Sequence, residues 1–126
     1  MLRQRFFISI IAVSLLAIGA AYLFSPELLL AYTGGFSLDD HALIDVRATY
    51  GGIQLAIGAF LLIESRNATS LPYCLKLLAW SFASVGFIRV CTDLTSDLTP
   101  NLHFYVGVSE IVLAVISYTE LHNSTD

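Results

Sequence analysis

Asp45-Val-Arg-Ala-Thr-Tyr-Gly-Gly-Ile-Gln-Leu-Ala-Ile-Gly-Ala-Phe-Leu-Leu-Ile63 is apolar enough to enter a bilayer, yet it carries an arginine, a glutamine and three glycines. Residues seven apart on a helix lie two turns apart on nearly the same face, so Arg47 and Gln54 share one side, with Gly58 one turn further. Ala48, Gly52, Ala56 and Ala59 form a small-residue stripe beside them. Small stripes let a neighbouring helix approach where lipid supplies no hydrophobic force, and a polar stripe next to them needs partners. This helix is therefore expected to be the inner one of a bundle, with Gly51, Gly52, Ala56 and Gly58 as packing positions.

The rest of the composition fits that reading. Of the 126 residues, 56% are hydrophobic and only 13% charged, against about a quarter charged in soluble domains. Mean hydropathy is +0.76. A soluble core of this size could not bury so much apolar surface, whereas a bilayer solvates it directly. The net charge of −4 and the scattered Lys and Arg residues give no footprint for nucleic acid. Cys74 and Cys91 fall in one predicted helix, roughly 25 Å apart along its axis, which rules out a disulfide between them.

Four spans are predicted, at about 6–24, 45–63, 73–92 and 102–119, in a single membrane domain covering 1–126. The first follows a basic start with Arg3 and Arg5, and reads as an uncleaved helix because further spans follow. Ser25-Pro26-Glu27 opens a short interfacial helix through Tyr32 that Gly34 and Gly35 close. Ser37 to Asp40 has the form of a capping box, which starts the second long helix near Leu38. Pro72 and Pro100 sit in the first turns of the last two helices. The fold class is thus all-α, an integral membrane four-helix bundle with a short interfacial helix after the first span.

Arg3, Arg5, Arg66 and Lys76 flank one side of the predicted bundle. Glu27, Asp39, Asp40, Asp93 and Asp97 flank the other. The lysine and arginine bias predicts both termini in the cytoplasm. Asn67-Ala-Thr and Asn123-Ser-Thr match the glycosylation pattern, but both fall on the cytoplasmic side.

Glu110 is the least expected residue, because the apolar run from Leu102 to Thr119 puts it near the middle of the fourth span. A carboxyl there must be neutral, paired or facing water. His103, Gly107, Glu110, Ala114 and Ser117 recur at helical steps, and Gly107 lets another helix approach beside the acid. Arg89 in the third span is the natural counter-charge. Depth and helical face group Arg47, Gln54, Arg89 and Glu110, with Asp45 and Tyr50, in the outer half of the bundle. One reading is a polar-lined pocket, the other a network that only locks the helices. His103 reads as interfacial, and Asp39-Asp40-His41 as loop and cap rather than metal site. No nucleophile elbow, phosphate loop, HExxH or CxxC occurs, so nothing points to an enzyme, a metal or a cofactor.

Arg47-Ala-Thr-Tyr-Gly-Gly with Gly58, followed by Arg89 and Glu110, resembles a bacterial family of small four-helix membrane proteins known only as a domain of unknown function. The layout is more loosely similar to DoxX-like membrane proteins. The resemblance covers nearly the whole chain and implies the fold and an inner-membrane location, with no activity to carry over. The expected function is binding of a small hydrophobic or amphipathic molecule, or a lipid, in an outer-half pocket. The alternative is an accessory subunit that packs against another membrane protein or a second copy, and a membrane enzyme comes third.

Overall fold

Helix α1 (Leu2–Phe24) is an apolar run with no proline or interior charge to interrupt it. The Ser25 N–H still donates to the Ala21 carbonyl at 2.8 Å, but Pro26 lacks an N–H and opens the short helix α2 (Pro26–Tyr32), with Glu27 in its first turn. The structure, a computed structural model, describes residues 1–32, 39–95 and 102–123. The expected roles of Gly34, Gly35, Ser37 and Thr99-Pro100 lie outside those residues.

The second long helix starts later than the capping box at Ser37 predicts. Its N-cap is Asp39, whose side chain accepts a hydrogen bond from the Ala42 N–H at 2.8 Å. From there the chain runs as α3 (Asp40–Val46), a π-helical segment (Arg47–Gly52) and α4 (Ile53–Glu64) without a break. A tight turn follows, in which the Ser65 N–H donates to the Leu61 carbonyl at 2.9 Å and the Asn67 N–H to Glu64 at 3.0 Å. Helix α5 (Leu71–Thr95) carries Pro72 in its first turn, where the missing donor does no harm, and α6 (Leu102–His122) follows.

Four helices are long and apolar enough to cross a membrane: Leu2–Phe24, Asp40–Glu64, Leu71–Thr95 and Leu102–His122. No strand occurs among the described residues. Large apolar side chains point outward along all four, Phe24 at 78% and Trp80 at 77% exposure among them. Water would penalise such a surface, while lipid matches it. Hydroxyls on the same helices are satisfied locally: Ser14 donates to the Ile10 carbonyl, Ser109 to Val106 and Ser117 to Leu113, at 3.0, 2.7 and 2.8 Å.

The helices group into two compact units, Leu2–Ala68 and Thr69–Asp126. In the first, α1 packs along the π-helical segment and α4, with Ile8, Ile11, Ala12 and Leu61 buried. The two helices are antiparallel, and Gly58 marks a close approach: a Cβ there would lie 2.9 Å from the Ala12 carbonyl oxygen and 3.0 Å from the Leu16 nitrogen. In the second, α5 packs on α6, with Leu71, Cys74, Leu75, Leu78 and Ala114 buried.

Candidate functional site

Arg47-Ala-Thr-Tyr-Gly-Gly, the most distinctive stretch of the sequence, is also where the second span leaves α-helical geometry. A π turn inserts an extra residue into the helix, and such bulges recur at functional sites. Two consecutive glycines lower the resistance to widening, since they bring no side chains to crowd the turn. Beyond the segment, the Ile53 N–H returns to the Thr49 carbonyl and the α-helix resumes.

The segment's inward face begins with Arg47 and continues through Gly51, Gln54, Gly58 and Leu61, of which the two glycines and the leucine are buried. With α1 antiparallel, Arg47 comes opposite the end of α1 and the start of α2. There its Nη2 lies 3.5 Å from Glu27 Oε1, with the two side chains 42% and 59% exposed. A pair so exposed is worth about 0–1 kcal/mol. One turn along, the Tyr50 ring meets Tyr22 with centroids 5.5 Å apart and a 31° tilt. Asp45 is exposed on α3. The Nε of Arg47 and the Oε1 of Gln54 are buried with no hydrogen-bond partner among the described residues, as is the Nε of Arg5 near the start of α1. An unsatisfied buried polar group costs about 1–3 kcal/mol.

The second polar group belongs to α5 and α6. Their backbones touch where Gly86 meets Gly107: a Cβ on Gly86 would lie 2.7 Å from the Gly107 carbonyl oxygen. About one turn from this contact, Arg89 forms a two-pronged pair with Glu110, Nε to Oε2 at 3.1 Å and Nη2 to Oε1 at 3.3 Å. Side chains on a helix lean toward its N-terminus, so on antiparallel helices these two lean toward each other. The third prong, Nη1, lies 3.4 Å from His103 Nδ1. An arginine can only donate, so His103 accepts there through the tautomer that carries its proton on Nε2. Exposures of 32% for Arg89 and 15% for Glu110 place the pair largely out of solvent.

A family model matches residues 3–121, nearly the whole chain. The chain belongs to the DUF4345 family, a domain of unknown function. No curated protein and no solved structure matches it.

In this DUF4345 chain four of the six polar residues that the sequence groups are found with specific neighbours. Arg47 and Tyr50 meet Glu27 and Tyr22 in the first unit, which also contains Asp45 and Gln54. Arg89 and Glu110 meet each other and His103 in the second. The packing stripe is corrected. Ala48, Gly52, Ala56 and Ala59 are all exposed, and a Cβ on Gly52 would have nothing within 4 Å. The neighbouring helix is received instead at Gly51 and Gly58, which share the arginine's side of the helix. A small residue is equally compatible with lipid and with a helix, so spacing alone could not choose between the two stripes.

The structure gives Glu27 and His103 partners that the sequence does not assign, and adds two glycines: Gly86 against Gly107, and Gly19, where a Cβ would lie 2.9 Å from the Leu55 nitrogen. Glu27 reads from the sequence as a first-turn and flanking acid, and the antiparallel pairing of the first two spans brings it level with Arg47. His103 shares the face of Glu110, as the helical steps predict, and its contact with Arg89 is what an interfacial role leaves out. Gly86 stands three residues before Arg89, as Gly107 stands three before Glu110, a repeat visible in the sequence. Among the described residues no group of His, Cys, Asp and Glu is placed to hold a metal ion. Two surface depressions, one lined by Leu2, Arg3, Arg5, Phe6 and Ser9 and the other by Tyr118, Thr119, His122 and Asn123, lie at the start of α1 and the end of α6.

Proposed function

We propose that this is a small inner-membrane protein of a bacterium, with both termini in the cytoplasm, that binds a small hydrophobic or amphipathic molecule or a lipid through Arg47 and Gln54. The observation that carries this reading is the pair of buried, unsatisfied polar atoms, Arg47 Nε and Gln54 Oε1, on the inward face of one membrane-length helix. A polar head group entering there would recover hydrogen bonds that the described residues do not supply. Tyr50 lies between Arg47 and Gln54 in the chain and packs against Tyr22. Arg89 and Glu110 already satisfy each other and serve to hold α5 to α6. The topology is supported by Arg3 and Arg5 at the start of α1 and Arg66 and Lys76 around the α4–α5 turn.

The exposed stripe Ala48, Gly52, Ala56 and Ala59 favours a second reading, an accessory subunit whose stripe receives another membrane protein or a second copy. The loose likeness to DoxX-like proteins adds only a similar four-span layout. Gentle detergent purification followed by native mass spectrometry separates the readings. A bound amphiphile that disappears in Gln54→Leu and persists in Gly52→Leu supports the binding site. A reproducible protein partner lost in Gly52→Leu, with no amphiphile on the wild type, supports the subunit.

A further inference from the structure

We infer that the site at Arg47 and Gln54 takes an uncharged amphiphile bearing both a hydroxyl and a carbonyl, of the diacylglycerol kind, in preference to an anionic lipid; this rests on the binding reading above. The two unsatisfied atoms differ in what they ask of a ligand. Arg47 Nε carries an N–H and can only donate, so the ligand must bring an acceptor. Gln54 Oε1 can only accept, so the ligand must also bring a donor. A phosphate dianion or a carboxylate offers acceptors alone and leaves Gln54 Oε1 unsatisfied. An ester carbonyl beside a free hydroxyl serves both.

Charge points the same way. Glu27 lies 3.5 Å from the Arg47 guanidinium and offsets part of its charge. Asp45 stands exposed two residues earlier in the same helix, and the neighbouring rings of Tyr22 and Tyr50 add no positive charge. An anionic head group would therefore find the arginine's charge already shared with Glu27, whereas an uncharged one has no such competitor. Acyl chains present no difficulty, because Leu23 borders Gly51 and Ile53 faces outward at 53% exposure beside the site.

The test uses the full chain in lipid-free detergent micelles, titrated with dioleoylglycerol and with dioleoylphosphatidic acid, and read by native mass spectrometry. These probes share their chains and differ in a hydroxyl against a phosphate. Dioleoylglycerol should bind about tenfold tighter, the scale of one satisfied hydrogen bond. Gln54→Leu should remove about that factor from dioleoylglycerol with little effect on phosphatidic acid. Arg47→Lys, which keeps a charge but has no Nε donor, is a second variant expected to weaken dioleoylglycerol. Glu27→Gln frees the arginine's charge and should shift the preference toward phosphatidic acid. Equal or tighter binding of phosphatidic acid by the wild type, lost in Gln54→Leu, overturns the inference while leaving the binding site standing. Binding of neither probe, with no amphiphile copurifying, removes the site itself and the inference with it.

Discussion

Replacing Arg89 and Glu110 by leucine, singly and together, probes the pair on α5 and α6. Truncating one partner of a fully buried ion pair costs about 3–5 kcal/mol, because the other charge is left without compensation. Here Arg89 keeps 32% of its side chain exposed and Glu110 only 15%. The residue left behind retains some hydration, so each single leucine is expected to lose about 2 kcal/mol. With both replaced, two apolar side chains face each other and no charge is stranded, so the double variant should lose only about 1 kcal/mol. The coupling between the two sites is then about 3 kcal/mol. Equilibrium unfolding by SDS titration in mixed micelles, followed by helical circular dichroism, measures all four proteins on one scale. Losses that add to within about 0.5 kcal/mol would show that the two groups do not stabilise each other, and the lock assigned to them would be wrong.

Gly58→Ala should destabilise by about 1–3 kcal/mol in the same assay, since its Cβ has no room against Ala12. Gly52→Ala should be neutral or stabilise by a few tenths, up to about 1 kcal/mol, because nothing lies in the way and alanine favours the helix; the reverse ranking would put the packing face back on the Gly52 stripe. In a Cys91→Ser background, a thiol introduced by Asp40→Cys should react with an impermeant maleimide on intact cells and one introduced by Asn67→Cys only after permeabilisation, with external labelling at position 67 inverting the topology. Deleting Gly52 should remove the extra residue that the π turn accommodates and return the segment to regular α-helix, narrowing the backbone at Gly51 while leaving the flanking turns in register. Amphiphile retention in native mass spectrometry should fall as it does for Gln54→Leu, and unchanged retention would show that the π geometry plays no part in the site.

The four membrane-length helices were legible because uninterrupted apolar runs bounded by Pro26, Pro72 and polar loops leave few alternatives. Glu110 was conspicuous for the same reason, as a lone carboxyl in an apolar run. What the sequence hid were matters of azimuth and register. Spacing arguments assume a straight α-helix, and nothing in Arg47-Ala-Thr-Tyr-Gly-Gly announces the π turn that the structure contains. Gly51 and Gly52 are adjacent and chemically identical, yet one is buried against α1 and the other is exposed. Only the partner helix decides between them. Glu27 was hidden similarly, since its tie to Arg47 exists only once the first two spans are aligned.

Arg89 and Glu110 are 21 residues apart in the chain, and that interval sets an order of events during biosynthesis. A ribosome delivers α5 first, so its arginine enters the translocon with no acid to meet it. An unpaired charge at the middle of a span opposes insertion by about 2.5–3.5 kcal/mol, and Arg89, nearer the end of α5, is spared part of this by reaching toward the head groups. Glu110 sits deeper, where a carboxyl enters either protonated or paired. It arrives to find the guanidinium already waiting, and the Gly86 contact lets the two backbones close at once. Entry of the last two spans as one hairpin is then expected to be easier than entry of α6 alone.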